Sequence, residues 1–155
     1  MSTPFCVVGP SDSGKTTLIE SLVAELSAYG RVGTIKSIHH DIEIDTPGKD
    51  TYRHRSAGAD TVVGLTPTLS FQLTPGGKRA AKSESELLES TVDRLHREGY
   101  DFICIEGFHD APYPKIALGD REDIAPPVVI RGALDSLDAE QLAASIRSGS
   151  LFERA

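Results

Sequence analysis

An apolar run, Phe5-Cys6-Val7-Val8, leads directly into Gly9-Pro10-Ser11-Asp12-Ser13-Gly14-Lys15-Thr16, and Leu18, Ile19, Leu22, Val23 and Leu26 follow at helical spacing. The middle segment matches G-x-x-x-x-G-K-[ST] at every position. A short continuous apolar run bounded by glycine suits a strand buried on both faces, which implies a parallel sheet covered on both sides. The stripe predicts a helix from Lys15 to about Ala28, with Gly30 as its terminator. Between strand and helix, Gly9 and Gly14 allow backbone conformations and a close approach that a Cβ would obstruct. The loop N–H groups and the helix N-terminus then converge on an anion. Lys15 adds a point charge suited to β- and γ-phosphates, the Thr16 hydroxyl suits Mg²⁺, and Thr17 falls beside the α-phosphate. Gly9, Pro10, Ser11, Asp12, Ser13, Gly14, Lys15, Thr16 and Thr17 are therefore the candidate phosphate site.

Such a loop needs a carboxylate on the metal side, at the end of a neighbouring strand. Glu106, directly after Phe102-Ile103-Cys104-Ile105, is the first candidate, and Asp41 and Asp45 compete for the role. Thr16, Glu106 and Asp41 form the candidate metal set, with Lys15 and Glu106 the candidate catalytic pair. No N-K-x-D segment names the base, and no glutamine is evidently placed to orient a water, so slow hydrolysis is expected.

The rest of the chain alternates strands and helices. A second strand is predicted over Val32–Lys36. Ile42 and Ile44 alternate with Glu43 and Asp45 as in a short strand, and Asp50 is placed to cap a helix through Thr51–Ala57. Thr61–Leu65 and Leu69–Leu73 read as a hairpin closed by Pro75-Gly76-Gly77. Ser83 and Glu86 form a capping-box pattern before a helix that ends at Gly99. Strands follow at Phe102–Ile105, Lys115–Leu118 and Pro127–Ile130. A last helix starts near Asp138, with Gln141 three residues on and Leu137 and Leu142 placed to staple its first turn. The pattern is α/β: a P-loop three-layer sandwich with a mainly parallel sheet and a small β-hairpin insertion, read as one nucleotide-binding domain over residues 1–155.

Composition excludes several alternatives. With 23 acidic and 16 basic residues the net charge is -7, and there is no dense Lys/Arg run, so neither nucleic acid nor an anionic membrane is expected as a partner. No run approaches the roughly 18 apolar residues of a membrane span, and no signal-peptide pattern opens the chain. A cytoplasmic location is expected. The two cysteines, Cys6 and Cys104, lie inside apolar runs without C-x-x-C spacing and read as small core residues.

The stretch Lys36-Ser37-Ile38-His39-His40-Asp41 continues through Asp45-Thr46-Pro47-Gly48-Lys49-Asp50 to Arg53 and Ala57-Gly58-Ala59. With the P-loop, and with Ile105-Glu106-Gly107-Phe108 and Pro114-Lys115-Ile116 further on, it resembles the MobB family of molybdopterin-guanine dinucleotide biosynthesis. The matching blocks run from about Val7 to Leu118, and the tail from Gly119 departs from the pattern. The resemblance implies an α/β GTP-binding protein, usually homodimeric and weakly hydrolytic, that assists the MobA guanylyltransferase in attaching GMP to molybdopterin. It implies GTP on Gly9–Thr17 and Glu106 near Mg²⁺. Lys36, Asp41, Asp45, Lys49, Asp50, Arg53 and Lys115 would face nucleotide, the phosphate of molybdopterin or the partner. Molybdopterin is an anion, so an acidic protein must bind it through local cations, which Lys36, Lys49, Arg53, Arg55 and Lys115 could supply.

Two further readings stand beside this one. A small P-loop metabolite kinase would share the loop, although no Arg-rich lid is evident. A nickel metallochaperone-type GTPase is suggested by His39-His40, but adjacent strand residues point to opposite faces and rarely share an ion.

Overall fold

The computed structural model describes residues 3–76 and 83–154. Five strands, β1 (Phe5–Val8), β2 (Val32–Lys36), β5 (Phe102–Glu106), β6 (Lys115–Leu118) and β7 (Val128–Gly132), form one sheet in the order β2-β5-β1-β6-β7. Every pairing in it is parallel. The glycine loop therefore leaves the central strand, between the ends of β5 and β6.

The sheet alternation builds two cores. Phe5 and Val7 face the side covered by α1 (Lys15–Leu26) and α4 (Ala139–Ser148), where Leu18, Leu22, Leu26, Leu142 and Ile146 pack. Cys6 and Val8 face the side covered by α3 (Glu84–Arg97), with Leu88, Val92, Ile103 and Ile105. This is the expected three-layer arrangement. Each fully buried leucine of α1 contributes about 1.5–3 kcal/mol. Both cysteines are buried and unpaired, and burial pushes each thiol up to about 12.

Helix α4 starts as its sequence predicts: the Asp138 side chain accepts from the Gln141 N–H at 3.1 Å, and Leu137 and Leu142 join one core. Helix α1 starts differently. Its N-cap is Gly14, with φ 95° and no side-chain cap, and its first turn carries no acidic residue. The first turns of α3 and α4 do carry acids. A helix start left free of carboxylate and cap is the arrangement an anion needs.

The chain divides into two compact units, one of residues 1–37 with 84–155 and the other of residues 38–83. The second contains α2 (Asp50–Ser56) and the antiparallel hairpin of β3 (Val62–Leu65) with β4 (Ser70–Leu73), the hairpin expected around Thr66-Pro67. Gly77, the last residue of the expected closing turn, lies outside the described residues.

Two expectations are corrected in this unit. Ile42–Asp45 is not a strand. The segment has no partner strand among the described residues, and Ile42 and Ile44 are exposed. Its carboxylates bind locally instead. Glu43 Oε1 accepts from the Asp45 N–H at 3.0 Å and pairs with Arg55 at 2.6 Å. Asp45 Oδ1 accepts from the Thr46 N–H at 2.9 Å and from the Thr51 hydroxyl at 3.0 Å. Nor is Asp50 the cap of α2. The N-cap is Lys49, without a side-chain bond, and Asp50 is the first helical residue, where its charge favours the helix dipole.

Candidate functional site

The loop after β1 has little steric freedom. A Cβ on Gly9 would lie 2.5 Å from the Leu118 carbonyl oxygen, and one on Gly14 would lie 2.6 Å from Leu134 Cδ2. Asp12 takes a left-handed conformation at φ 59°. The Ser13 N–H donates to the Pro10 carbonyl at 3.3 Å, which closes the turn. Ser13 Oγ is buried without a hydrogen-bond partner, so the loop holds a polar group that an added ligand can satisfy. Pro10, Ser11, Asp12, Thr16 and Thr17 are exposed.

Lys15 Nζ donates to the carbonyls of Gly9 at 2.9 Å and Pro10 at 2.7 Å, which holds its charge over the loop. The Thr16 hydroxyl donates to Glu106 Oε1 at 3.0 Å, and Lys36 Nζ pairs with the same oxygen at 2.9 Å. The sheet makes this meeting possible, because Lys36 and Glu106 lie opposite one another at the ends of β2 and β5. Burial alone would raise the Glu106 carboxyl, but hydrogen bonds from Lys36 and Thr16, with the charges of Lys36 and Lys15, outweigh it and lower its pKa. Glu106 is thus held as an anion beside a threonine hydroxyl.

This donor set fits a hard cation. Mg²⁺ takes oxygen ligands, keeps several waters and is usually held by only one or two protein groups together with phosphate oxygens. Thr16 and Glu106 offer that minimum, while among the described residues no three His, Cys, Asp or Glu side chains gather as a ligand cluster.

Lys15, Thr16, Lys36 and Glu106 converge, then, and the other expected residues have different surroundings. Asp41, Lys49, Asp50 and Arg53 are exposed residues of the second unit. Asp45 is half-buried and organises the turn into α2. Arg55 is committed to Glu43 and lies over the Tyr52 ring. Lys115, expected to face nucleotide, the phosphate of molybdopterin or the partner, is instead fully buried. Its ammonium donates to the carbonyls of Ala111 and Tyr113, and burial lowers its pKa. It pins the loop that follows Glu106.

Sequence reading missed the other wall. A cavity of about 550 Å³ opens at the ends of β6 and β7, lined by Gly119, Asp120, Glu122, Arg131, Gly132 and Ala133. A Cβ added at Gly119 would lie 3.5 Å from Pro10 Cδ, so this cavity adjoins the loop. The signal available was positional, since ligands of parallel sheets bind beyond the carboxyl ends of the strands.

The family described as molybdopterin guanine dinucleotide synthesis protein B matches residues 5–136. The chain belongs to the MobB family. That match reaches past Leu118 and takes in about half of the tail from Gly119. A "molybdopterin-guanine dinucleotide biosynthesis adapter protein" of Haemophilus influenzae is 35% identical over 121 residues, 77% of this chain and 65% of that protein. The protein of the same description in Escherichia coli is 39% identical over 112 residues, 70% of this chain and 60% of that protein. The chain thus spans somewhat under two thirds of the length of these MobB relatives. The crystal structure of Bacillus subtilis MobB superposes with a TM-score of 0.67 at 25% identity, covering 93% of this chain and 97% of that one. Among the described residues no helix is long and apolar enough to cross a membrane.

Proposed function

We propose that this MobB-type chain binds GTP with Mg²⁺ on the Gly9–Thr17 loop and acts as an accessory protein in making the guanine dinucleotide form of the molybdenum cofactor. The convergence of Lys15, Thr16 and Glu106 at an uncapped helix start carries the nucleotide part. The relatives' description as adapters in molybdopterin-guanine dinucleotide biosynthesis supports the cellular part. Mg²⁺, which Thr16 and Glu106 would hold, would supply positive charge against the phosphates. The chain's own groups do the holding: loop N–H groups and Lys15 bind phosphate, and Thr16 and Glu106 orient the metal side.

The partner in this reading is a MobA-type guanylyltransferase, and molybdopterin is the second ligand, met by the exposed cations Lys49 and Arg53. A homodimer in the cytoplasm belongs to the same reading, and the exposed Ile42, Ile44, Leu65 and Leu69 of the second unit are suited to a protein surface. Hydrolysis is slow. Neither the metabolite kinase nor the nickel GTPase is favoured by the relatives' descriptions.

The test is GTP against ATP competition on the purified chain, repeated with the guanylyltransferase and molybdopterin present. GTP preference and increased dinucleotide yield support the proposal. ATP preference, or no effect on yield, would refute it.

A further inference from the structure

One carboxylate oxygen, Glu106 Oε1, accepts from two donors: the Thr16 hydroxyl at 3.0 Å and the Lys36 ammonium at 2.9 Å. The two approach differently. The Glu106 side chain is 13% exposed and that of Lys36 is 57% exposed, so the lysine covers the carboxylate from the solvent side. Thr16 lies in the first turn of α1, and Lys15 is already occupied by the Gly9 and Pro10 carbonyls. Lys36 is therefore the cation of this cluster that is not tied to the loop backbone, on a flexible stem at the end of its strand.

A divalent cation held between Thr16 and Glu106 would meet this ammonium at the same oxygen. Two positive groups on one carboxylate oxygen repel, strongly so where solvent access is small. That repulsion weakens the Lys36 bond to Glu106 and favours passage of the ammonium to another anion. A nucleoside triphosphate brings one more phosphate group than a diphosphate, and that further anion is the partner we assign to the freed ammonium.

We propose that Lys36 is a specificity-determining residue, whose ammonium passes from Glu106 to the terminal phosphate when Mg²⁺ and a nucleoside triphosphate bind. In a diphosphate complex it stays on Glu106 and competes with the metal. This rests on the loop being the nucleotide site proposed above. Two opposite effects follow from one substitution. Lys36→Gln removes a charge-assisted bond to the terminal phosphate, so preference for GTP over GDP falls by about tenfold or more. The same change removes the competitor for Glu106, so Mg²⁺ binds the GDP complex more tightly than in the unaltered protein.

The experiment is calorimetric titration of the full chain with GTP and with GDP over a series of Mg²⁺ concentrations. Unaltered protein, Lys36→Gln and Lys36→Arg are compared, each first checked by thermal unfolding. The expected result is a collapsed GTP/GDP ratio and tighter Mg²⁺ with GDP in Lys36→Gln, with the ratio retained in Lys36→Arg. If Lys36→Gln weakens GTP and GDP equally, or alters neither, the exchange is wrong while the nucleotide site stands. If the unaltered, folded protein binds neither nucleotide, the site reading itself fails and takes this inference with it.

Discussion

Gly14 joins the loop to α1, and replacing it with alanine tests that junction from two independent directions. Its φ of 95° lies in a region that L-residues avoid, at a cost of roughly 1–2 kcal/mol for a left-handed non-glycine residue. Its added Cβ would also lie 2.6 Å from Leu134 Cδ2 and 3.1 Å from Leu134 Cβ. Rotating the leucine relieves the first contact and leaves the second, so about 1–3 kcal/mol of overpacking is added. Gly14→Ala should therefore lose about 2–5 kcal/mol of stability, or shift the loop and lose nucleotide affinity instead. Urea unfolding measures the first outcome and calorimetric titration with Mg·GTP the second. Leu134→Gly separates the causes, because it removes the Leu134 Cβ as well as Cδ2. Combined with Gly14→Ala it should recover the packing part, about 1–3 kcal/mol, and leave the backbone part. A Gly14→Ala protein that unfolds and binds like the unaltered chain would refute the loop geometry. A double variant with no recovery would refute the role given to Leu134.

Alkaline pH should weaken the fold through its buried thiols. Both Cys6 and Cys104 have pKa values raised from 9.0 to about 12, so the folded state holds protons that the unfolded chain releases. Stability is full below pH 9 and falls above it by about 1.4 kcal/mol per pH unit for each thiol. Urea unfolding at pH 8 and pH 10 should show Cys104→Ala losing about 1.4 kcal/mol less than the unaltered chain, and an equal loss would count against the burial. Asp138→Ala removes the side-chain cap of α4 and should cost about 0.5–2 kcal/mol with GTP binding unchanged; an unchanged unfolding midpoint would show that the cap is dispensable. Lys49→Ala alters an exposed cation of the second unit, so GTP affinity should be retained while dinucleotide formation falls; unchanged formation would remove Lys49 from that role.

The phosphate loop was legible because its requirements are local. Strand, glycines, lysine and helix stripe are contiguous in the chain, and each residue type has a steric or electrostatic reason to be there. The α4 start was legible for the same reason, since Asp138 and Gln141 meet within one turn. The meeting of Lys36 with Glu106 was less accessible. It depends on β2 pairing with β5 in one register across most of the chain, and spacing alone does not set that register. Lys115 was misread because a lysine in a short apolar strand has two physical outcomes, an exposed edge or burial against backbone carbonyls. Only the fold of the loop above it, through Ala111 and Tyr113, decides between them. Ile42–Asp45 shows the converse. Alternation is necessary for a half-buried strand, but a strand also needs a partner edge, and here side-chain carboxylates serve the local backbone instead.

The holding of a polyphosphate by Lys15 and its loop is tested most directly by one titration, Mg·GTP into the unaltered chain and into Lys15→Ala. Loss of one or more charge-assisted bonds, at about 1.5–3 kcal/mol each, should weaken binding by at least about tenfold while the fold stays intact. Equal dissociation constants for the two proteins would contradict it.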